Sequence, residues 1–474
     1  MINCNTDINN SSNSLITKDI VDRLIESLGD NNVLTSPEEL YCYSYDATAF
    51  EEQVFMPGAV VLPQNIEQVQ AIMKIANEYS IPVIARGAAT NLSGGCVPVN
   101  GGIILHLAQM DKIIVINKED LFCKVQVGLV TEKLQKEVEK IGLFFPPDPA
   151  SLRVSTIGGN IAESSSGPRC LKYGGIKDYV LGLKVVLADG NIIETGGVTV
   201  KNVTGYNLTQ LFVGSEGTLG IICEATLKLI PYPEYKKTML AVYNSIESAA
   251  QTVSEIIANK MIPTTLELLD KKTMQTIEKY HSTGLPIDAE ASLLIEVDGF
   301  REGVESQASK IVEICKKMGV REFKIAQTIE ESEELWFARR SAFAAVARLK
   351  PNVVVEDATV PRSKIPEMVK RINEIASKYN LTVCLMGHAG DGNLHPNISC
   401  DLRDKEEAER VDKAVEEIFN AAIELGGTLS GEHGIGLAKS KFMPKVLNEA
   451  TISLMKQIKN TLDPKNLLNP GKVW

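Results

Sequence analysis

The chain is poor in the residues that form cross-links and metal cages. It has five histidines and two tryptophans in 474 residues. Its nine cysteines (Cys4, Cys42, Cys96, Cys123, Cys170, Cys223, Cys315, Cys384, Cys400) are scattered, odd in number, and contain no Cys-x-x-Cys pair. That spacing signals neither a disulfide framework nor an iron–sulfur cluster. Positive charge is scarce too: 49 Lys and Arg stand against 60 Asp and Glu, a formal net charge of -11. Nucleic acids and anionic lipids are bound by concentrated Lys and Arg, so neither is an expected partner, whereas a small basic pocket for one acid is compatible with this balance. No apolar run reaches the roughly 18 to 20 residues that span a bilayer, and the opening MINCNTDINNSSNS lacks the basic flank and apolar core of a signal peptide. A soluble, cytoplasmic protein is expected.

What is present reads as two or three folded domains, since 474 residues exceed one ordinary core. A loose tail through about Ser14 precedes DIVDRLIESLG, where Ile20, Val21, Leu24, Ile25 and Leu28 share a helical face and Gly29 is a stop. A strand–helix–strand unit follows: AVVLP, NIEQVQAIMKIANEYS, IPVIA. From Gly101 to about Pro231, short β-branched runs and glycine turns such as GLKVVLADGNIIE predict a sheet-rich lobe. Beyond Pro233, long amphipathic helices (SIESAAQTVSEIIAN, GVESQASKIVEICKKMG, IPEMVKRINEIASKYN) alternate with strands (SLLIEVDG, LTVCLMG), which predicts a separate α+β domain. The stretch KFMPKVLNEATISLMKQIKNTLDP reads as one helix ended by proline.

Three glycine-rich or small-residue stretches lie in the first half: ARGAATNLSGG, STIGGNIAESSSGP and VGSEGTLG. Small side chains let consecutive main-chain N–H groups approach an anion closely. The first does not fit the nicotinamide fingerprint, having Ala88 and Ala89 in place of glycine and no helix after it. In their order, PVIARGAATNLSGG, FFPPDPAS with TIGGNIAE, YGGIKDYVLGLKVVLADG and LFVGSEGTLGI resemble the flavin lobe of the vanillyl-alcohol oxidase superfamily. Later motifs narrow the resemblance to the branch of FAD-linked oxidoreductases that contains D-lactate dehydrogenase, the glycolate oxidase flavin subunit and D-2-hydroxyglutarate dehydrogenase.

This resemblance implies an α+β fold with a two-subdomain FAD-binding lobe and a C-terminal α+β substrate (cap) domain. The expected division is an N-terminal tail and helical segment at 1–55, the FAD-binding domain at 56–232, the cap at 233–430, and a segment returning to the flavin at 431–474. By the same resemblance, Arg86, Gly87, Ala88, Ala89, Thr90 and Asn91 hold the pyrophosphate. Pro147, Asp148, Ser151, Thr156, Gly159, Asn160, Ser164 and Gly167 line the cofactor, with Glu216, Gly220 and Ile222 on the nearby strand edge. Relatives often carry glycine where this loop has Ala89 and Asn91, so its dihedral angles are expected to differ slightly. The loop has no histidine, although Cys96 and His106 are near in sequence, so the FAD is expected to be non-covalent.

The segment GHAGDGNLHPN places His388 and His395 on either side of Gly390-Asp391-Gly392. A hairpin turned there lets the two imidazoles converge while the glycines supply positive φ. In GTLSGEHGIG, Glu432 offers a third ligand between glycines. Two histidines and a carboxylate suit a catalytic Zn2+ site with an open position or a facial iron triad, which leaves Zn2+, Fe2+ and Mn2+ as candidates. Asp391 is expected to serve the turn or support a ligand. His106 and His281 lack such framing and are read as structural.

The resemblance assigns roles to these positions. His388, His395 and Glu432 hold the cation, His433 takes the substrate's hydroxyl proton, Asn397 hydrogen-bonds the substrate, and hydride passes to flavin N5. Arg339 in ELWFARRSAF grips the carboxylate, with Arg340 as its competitor. The expected reaction is oxidation of a small D-2-hydroxy acid, D-lactate to pyruvate before glycolate or D-2-hydroxyglutarate, because VVVEDATVP offers Glu356 and Asp357 and no lysine for a second carboxylate. With no cluster and no nicotinamide fingerprint, electrons are expected to go to a protein: electron-transferring flavoprotein, or alternatively an iron–sulfur subunit. Two other classes fit the histidine turn or the lobe taken alone, a metallohydrolase and a non-catalytic flavoprotein scaffold.

Overall fold

The structure is a computed structural model that describes residues 15–49 and 54–474. The expected tail through Ser14 lies outside the described residues. The helix Lys18–Leu28 buries Ile20, Leu24 and Leu28 and ends at Gly29, whose φ of 86° continues no helix. It packs against the helix Ile66–Tyr79, which Asn65 caps by accepting from Gln68 N. Beneath them runs a four-stranded sheet in the order Val33–Leu34, Ala59–Val61, Ile103–His106, Val83–Arg86, its last two pairings parallel.

A second sheet of five antiparallel strands follows in the order Ile113–Asn117, Phe122–Gln126, Ile221–Lys228, Val180–Val186, Ile192–Gly196. One apolar cluster spans both sheets, from Val61 and Ile103 through Val125 and Ile161 to Ile221 and Leu227. The two sheets are therefore two walls of one lobe; ARGAATNLSGG and VGSEGTLG lie on loops, whereas TIGGNIAE forms the helix Ile157–Glu163 capped by Thr156.

The cap is built on an antiparallel sheet in the order Glu322–Ile325, Tyr235–Tyr243, Ala291–Gly299, Thr265–Asp270, Thr382–His388, Asn393–Cys400, Asn352–Val355, with Ala358–Thr359 also on Asn393–Cys400. Both faces are covered. Met239, Ala241 and Tyr243 point into one cluster with the helices Ile246–Ala258, Arg301–Lys317, Ile365–Lys378 and Lys405–Glu424, while Leu240 and Val242 point into another with Lys271–Tyr280 and Ile329–Val346. Two-sided burial explains the unbroken apolar run at Met239–Tyr243, since successive side chains enter opposite layers.

The C-terminal stretch differs from the single helix that its sequence predicts. Helix Met443–Val446 stops at Leu447, and Glu449–Leu462 begins afresh because Asn448 accepts from Thr451 N. After that helix, Leu468 bridges Val83 of the first sheet in parallel, with Val83 N donating to Leu467 O at 2.7 Å and Asn469 N to Val83 O at 2.8 Å. Asn469 Nδ2 then donates to Gly95 O (2.9 Å) and Glu216 O (2.8 Å), tying together two of the glycine-rich loops.

Candidate active site

The strands Thr382–His388 and Asn393–Cys400 pair with His388 opposite Asn393 and His395 opposite Met386. Both histidines thus share a face and meet diagonally, ring centroids 5.2 Å apart. Only one of the two turn glycines supplies a positive φ, Gly392 at 91°. Gly390 is needed for space instead: a Cβ there would lie 2.3 Å from Leu171 Cδ2, where the cap turn meets the flavin-type lobe. Asp391 N closes the turn on His388 O at 3.2 Å, and burial pushes its carboxyl up to about 6.

Glu432 Oε1 stands 3.1 Å from both His388 Nε2 and His395 Nε2. The ligand atoms of the three residues lie within 4.8 Å of one another. Each imidazole is held from behind. His388 Nδ1 donates to Glu267 Oε1 at 2.7 Å, and His395 Nδ1 is 3.4 Å from Glu356 O. Burial acts to lower His388, but Glu267 and Glu432 outweigh it and keep the imidazole well above the ordinary histidine range. Burial likewise raises Glu432, and His388 and His395 outweigh it and hold the carboxyl well below its usual range. Two forward-facing nitrogens and a carboxylate oxygen, oriented by hydrogen bonds at the rear, fit a divalent cation.

Glu432 and His433 sit on a turn wrapped around Asp357, whose Oδ2 accepts from Ser430 Oγ and from the main-chain N–H groups of Gly431, Glu432 and His433 at 2.6 to 3.0 Å. His433 stacks on His395, centroids 5.0 Å apart and planes 11° apart. Burial pushes His433 down to about 4, so it is neutral at ordinary pH.

Arg339 and Arg340 go different ways. Arg339 lies at the sheet, its Nε and Nη2 each 2.8 Å from Glu267 Oε2. Arg340 is on the exposed side of the same helix and pairs with Glu333 at 3.0 Å. The amide nitrogen of buried Asn397 donates to His395 O (2.7 Å) and Cys384 O (3.2 Å).

Between the two sheets of the first lobe lies a cavity of about 200 Å3, open at its mouth. Of the residues assigned to the cofactor, Arg86, Gly87, Ala88, Ala89, Thr90, Asn91, Ser151, Thr156, Gly159, Asn160, Glu216, Gly220 and Ile222 line it. Ala89 takes φ 52°, the left-handed conformation usual for glycine, so the loop keeps that backbone shape despite its Cβ. The guanidinium of Arg86 turns away to Tyr45 O at 2.8 Å, leaving the loop's main chain to face the cavity.

The remaining four are engaged elsewhere and do not line it. Pro147 O accepts from Gln135 Nε2 at 2.8 Å, and Asp148 Oδ1 accepts from Arg169 N at 3.1 Å. Gly167 backs onto Asp148 O, and Ser164 ends the helix Ile157–Glu163 at φ 54°. The cavity wall adds three residues of STIGGNIAESSSGP not assigned to the cofactor, Ser155, Glu163 and Ser165, each with a buried polar atom lacking a partner among the described residues. A narrow cleft of small residues, main-chain amides and unpaired hydroxyls fits a dinucleotide such as FAD. Glu432 and His433 also line it, so the cavity and the histidine pair adjoin.

Residues 232–473 match the C-terminal domain of FAD linked oxidases, and residues 57–196 match an FAD binding domain. The chain belongs to the FAD-linked oxidase family. It is 52% identical over 460 residues to glycolate oxidase subunit GlcD of Bacillus subtilis (strain 168), covering 97% of each chain. It is 38% identical over 416 residues to a D-lactate dehydrogenase of Archaeoglobus fulgidus, covering 87% of this chain and 90% of that one. p-Cresol methylhydroxylase with substrate bound superposes with a TM-score of 0.80 at 19% identity, covering 96% of each chain, which places the fold in the vanillyl-alcohol oxidase type. The protein is accordingly an FAD-linked oxidoreductase of the glycolate oxidase and D-lactate dehydrogenase family. Among the described residues no helix is long and apolar enough to cross a membrane.

Proposed function

We propose that this FAD-linked oxidase family member oxidises a short 2-hydroxy acid, with FAD in the glycine-lined cavity and a divalent cation (Zn2+, or Fe2+ or Mn2+) held by His388, His395 and Glu432. The observation that carries the reading is the position of His433, which lines the cavity and stacks on His395. When bound, FAD supplies the hydride acceptor and the cation supplies Lewis acidity at the substrate oxygen.

The chain's own residues supply the rest. His433, kept neutral by burial, accepts the hydroxyl proton. Arg339 presents the outer edge of its guanidinium to the substrate carboxylate while Glu267 fixes the inner edge. Asn397 offers its amide oxygen to the substrate. No lysine or arginine lies within VVVEDATVP, where Glu356 and Asp357 are buried acids, and this supports a short substrate with a single carboxylate. D-lactate and glycolate differ by one methyl group. The 52% identity to a glycolate oxidase subunit supports glycolate ahead of D-lactate. That this relative is one subunit of glycolate oxidase supports an electron-accepting partner chain here, electron-transferring flavoprotein or an iron–sulfur subunit.

The test is anaerobic bleaching of the flavin by glycolate, D-lactate, L-lactate and D-2-hydroxyglutarate, with and without chelator. Glycolate and D-lactate should bleach it fastest and the chelator should suppress both. Faster bleaching by D-2-hydroxyglutarate would overturn the substrate class, and indifference to chelator would remove the cation.

A further inference from the structure

Asp357 holds the segment that bears His433 by one oxygen and leaves the other free. Its Oδ2 accepts four hydrogen bonds, one of them from His433 N at 2.9 Å. Its Oδ1 is buried and has no hydrogen-bond partner among the described residues, and the same holds for His433 Nδ1. Ligand-type atoms of Asp357, His395 and His433 lie within 4.8 Å of one another.

Of the two imidazoles grouped with Asp357, His395 has another acceptor. Its Nδ1 is 3.4 Å from Glu356 O and 3.9 Å from Asp357 Oδ1. His433 Nδ1 has none. Nδ1 is the ring nitrogen closer to the main chain, and the main chain of His433 is already anchored on Asp357. Asp357 Oδ1 is thus an unpaired buried acceptor on the same residue that anchors the His433 main chain.

We propose that Asp357 is the positioning residue for the base: it fixes the His433 main chain through Oδ2 and the Nδ1–H tautomer through Oδ1, so that the Nε2 lone pair faces the substrate. The inference rests on the reading of His433 as the base. A neutral imidazole carries one proton on either nitrogen, and only one of the two tautomers can accept from a hydroxyl in front of it. In the step served, the substrate O–H bond breaks and an N–H bond forms at Nε2. The α C–H electron pair leaves with its hydrogen as hydride to FAD, which is reduced as the alcohol becomes a carbonyl.

The test compares Asp357→Asn, Asp357→Ala and His433→Ala in the flavin- and metal-loaded enzyme. Asparagine keeps an oxygen for the main-chain N–H groups but puts a donor where Nδ1–H needs an acceptor. In Asp357→Asn we expect kcat to fall about 100-fold or more, with KM, flavin content and metal content within about threefold of the parent. Asp357→Ala should lose metal as well, because Glu432 loses its anchor. A kcat within threefold in Asp357→Asn, or a metal loss matching that of Asp357→Ala, overturns the proposal. An active His433→Ala overturns the underlying reading of the base instead, whatever Asp357→Asn does. Independently of folding in any variant, 15N shifts of histidine-labelled parent enzyme should show Nδ1 protonated on His433; the opposite tautomer overturns the proposal.

Discussion

Glu267 and His388 face each other across two antiparallel strands, with Glu267 Oε1 2.7 Å from His388 Nδ1. The other oxygen of the same carboxylate lies 2.8 Å from Arg339 Nε. Glu267 is fully buried, and Arg339 and His388 draw its carboxyl below the usual range against the burial that raises it. One side chain thus orients both the proposed cation ligand His388 and the proposed substrate anchor Arg339.

Glu267→Gln should weaken both, because a carboxamide has one acceptor oxygen for two donors. Metal affinity is expected to fall about 10-fold or more, as for other groups behind a ligating histidine, and KM for the hydroxy acid to rise. Metal titration of the chelated protein reads the first and steady-state kinetics the second. An unchanged metal affinity would show that His388 needs no rear partner.

The two adjacent arginines separate cleanly by kinetics. Arg339→Met should raise KM for the acid by at least about tenfold, since a charge-assisted contact contributes roughly 1.5 to 3 kcal/mol. Arg340→Met should leave KM within about twofold, because an exposed pair such as Arg340 with Glu333 contributes little. Reversal of the two effects would move the substrate's carboxylate to the outer face of that helix.

Metal binding should weaken as pH falls. His388 is held well above the ordinary histidine range by Glu267 and Glu432 despite its burial, and its Nε2 must be free of a proton to ligate. Affinity therefore rises with pH until His388 loses that proton unaided, with release of about one proton per cation bound. Competition titrations of zinc across pH check this. A flat profile would contradict it.

Lys472 gives a stability signature of its own. It is buried with its ammonium on Val97 O and Asn469 Oδ1, and burial pushes it down to about 8. The unfolded chain, with an ordinary lysine, holds the proton more tightly. Stability should therefore rise with pH between about 8 and the ordinary lysine range, and below about 8 the full cost of the buried charge is carried. Urea midpoints of the parent and Lys472→Met should differ by a constant amount below that window and change relative to each other within it.

Asn469→Ala removes both hydrogen bonds that join Gly95 to Glu216. Their loss costs about 1 to 3 kcal/mol together and should speed FAD dissociation about tenfold or more. Flavin retained through gel filtration measures it. The same retention as the parent would mean that the tail does not hold the cleft.

Helical periodicity and glycine punctuation carry much of this fold into the sequence: Ile20, Leu24 and Leu28 mark the first helix, and NIEQVQAIMKIANEYS appears as Ile66–Tyr79. The family is legible from the order of its glycine-rich motifs, and His388, His395 and Glu432 stand out because glycines frame them. Glu267 and Asp357 do not stand out. Each is one of two acids inside a β-branched or apolar run, TTLELLD and VVVEDATVP, and its partner is supplied by strand pairing or by a turn far along the chain. Asn469 is silent for the same reason. Gly390 looks like a turn glycine and is a packing glycine, because Leu171, which demands the space, comes from the other lobe.

The contact between Asn469 and Gly95 spans 374 positions, and the parallel bridge of Leu468 to Val83 is similarly remote. The flavin cleft is therefore a discontinuous folding unit, begun before the cap and closed by residues translated after it. Such distant closure is slow relative to local helix and hairpin formation. On a nascent chain these contacts can form only after the intervening cap has been synthesised.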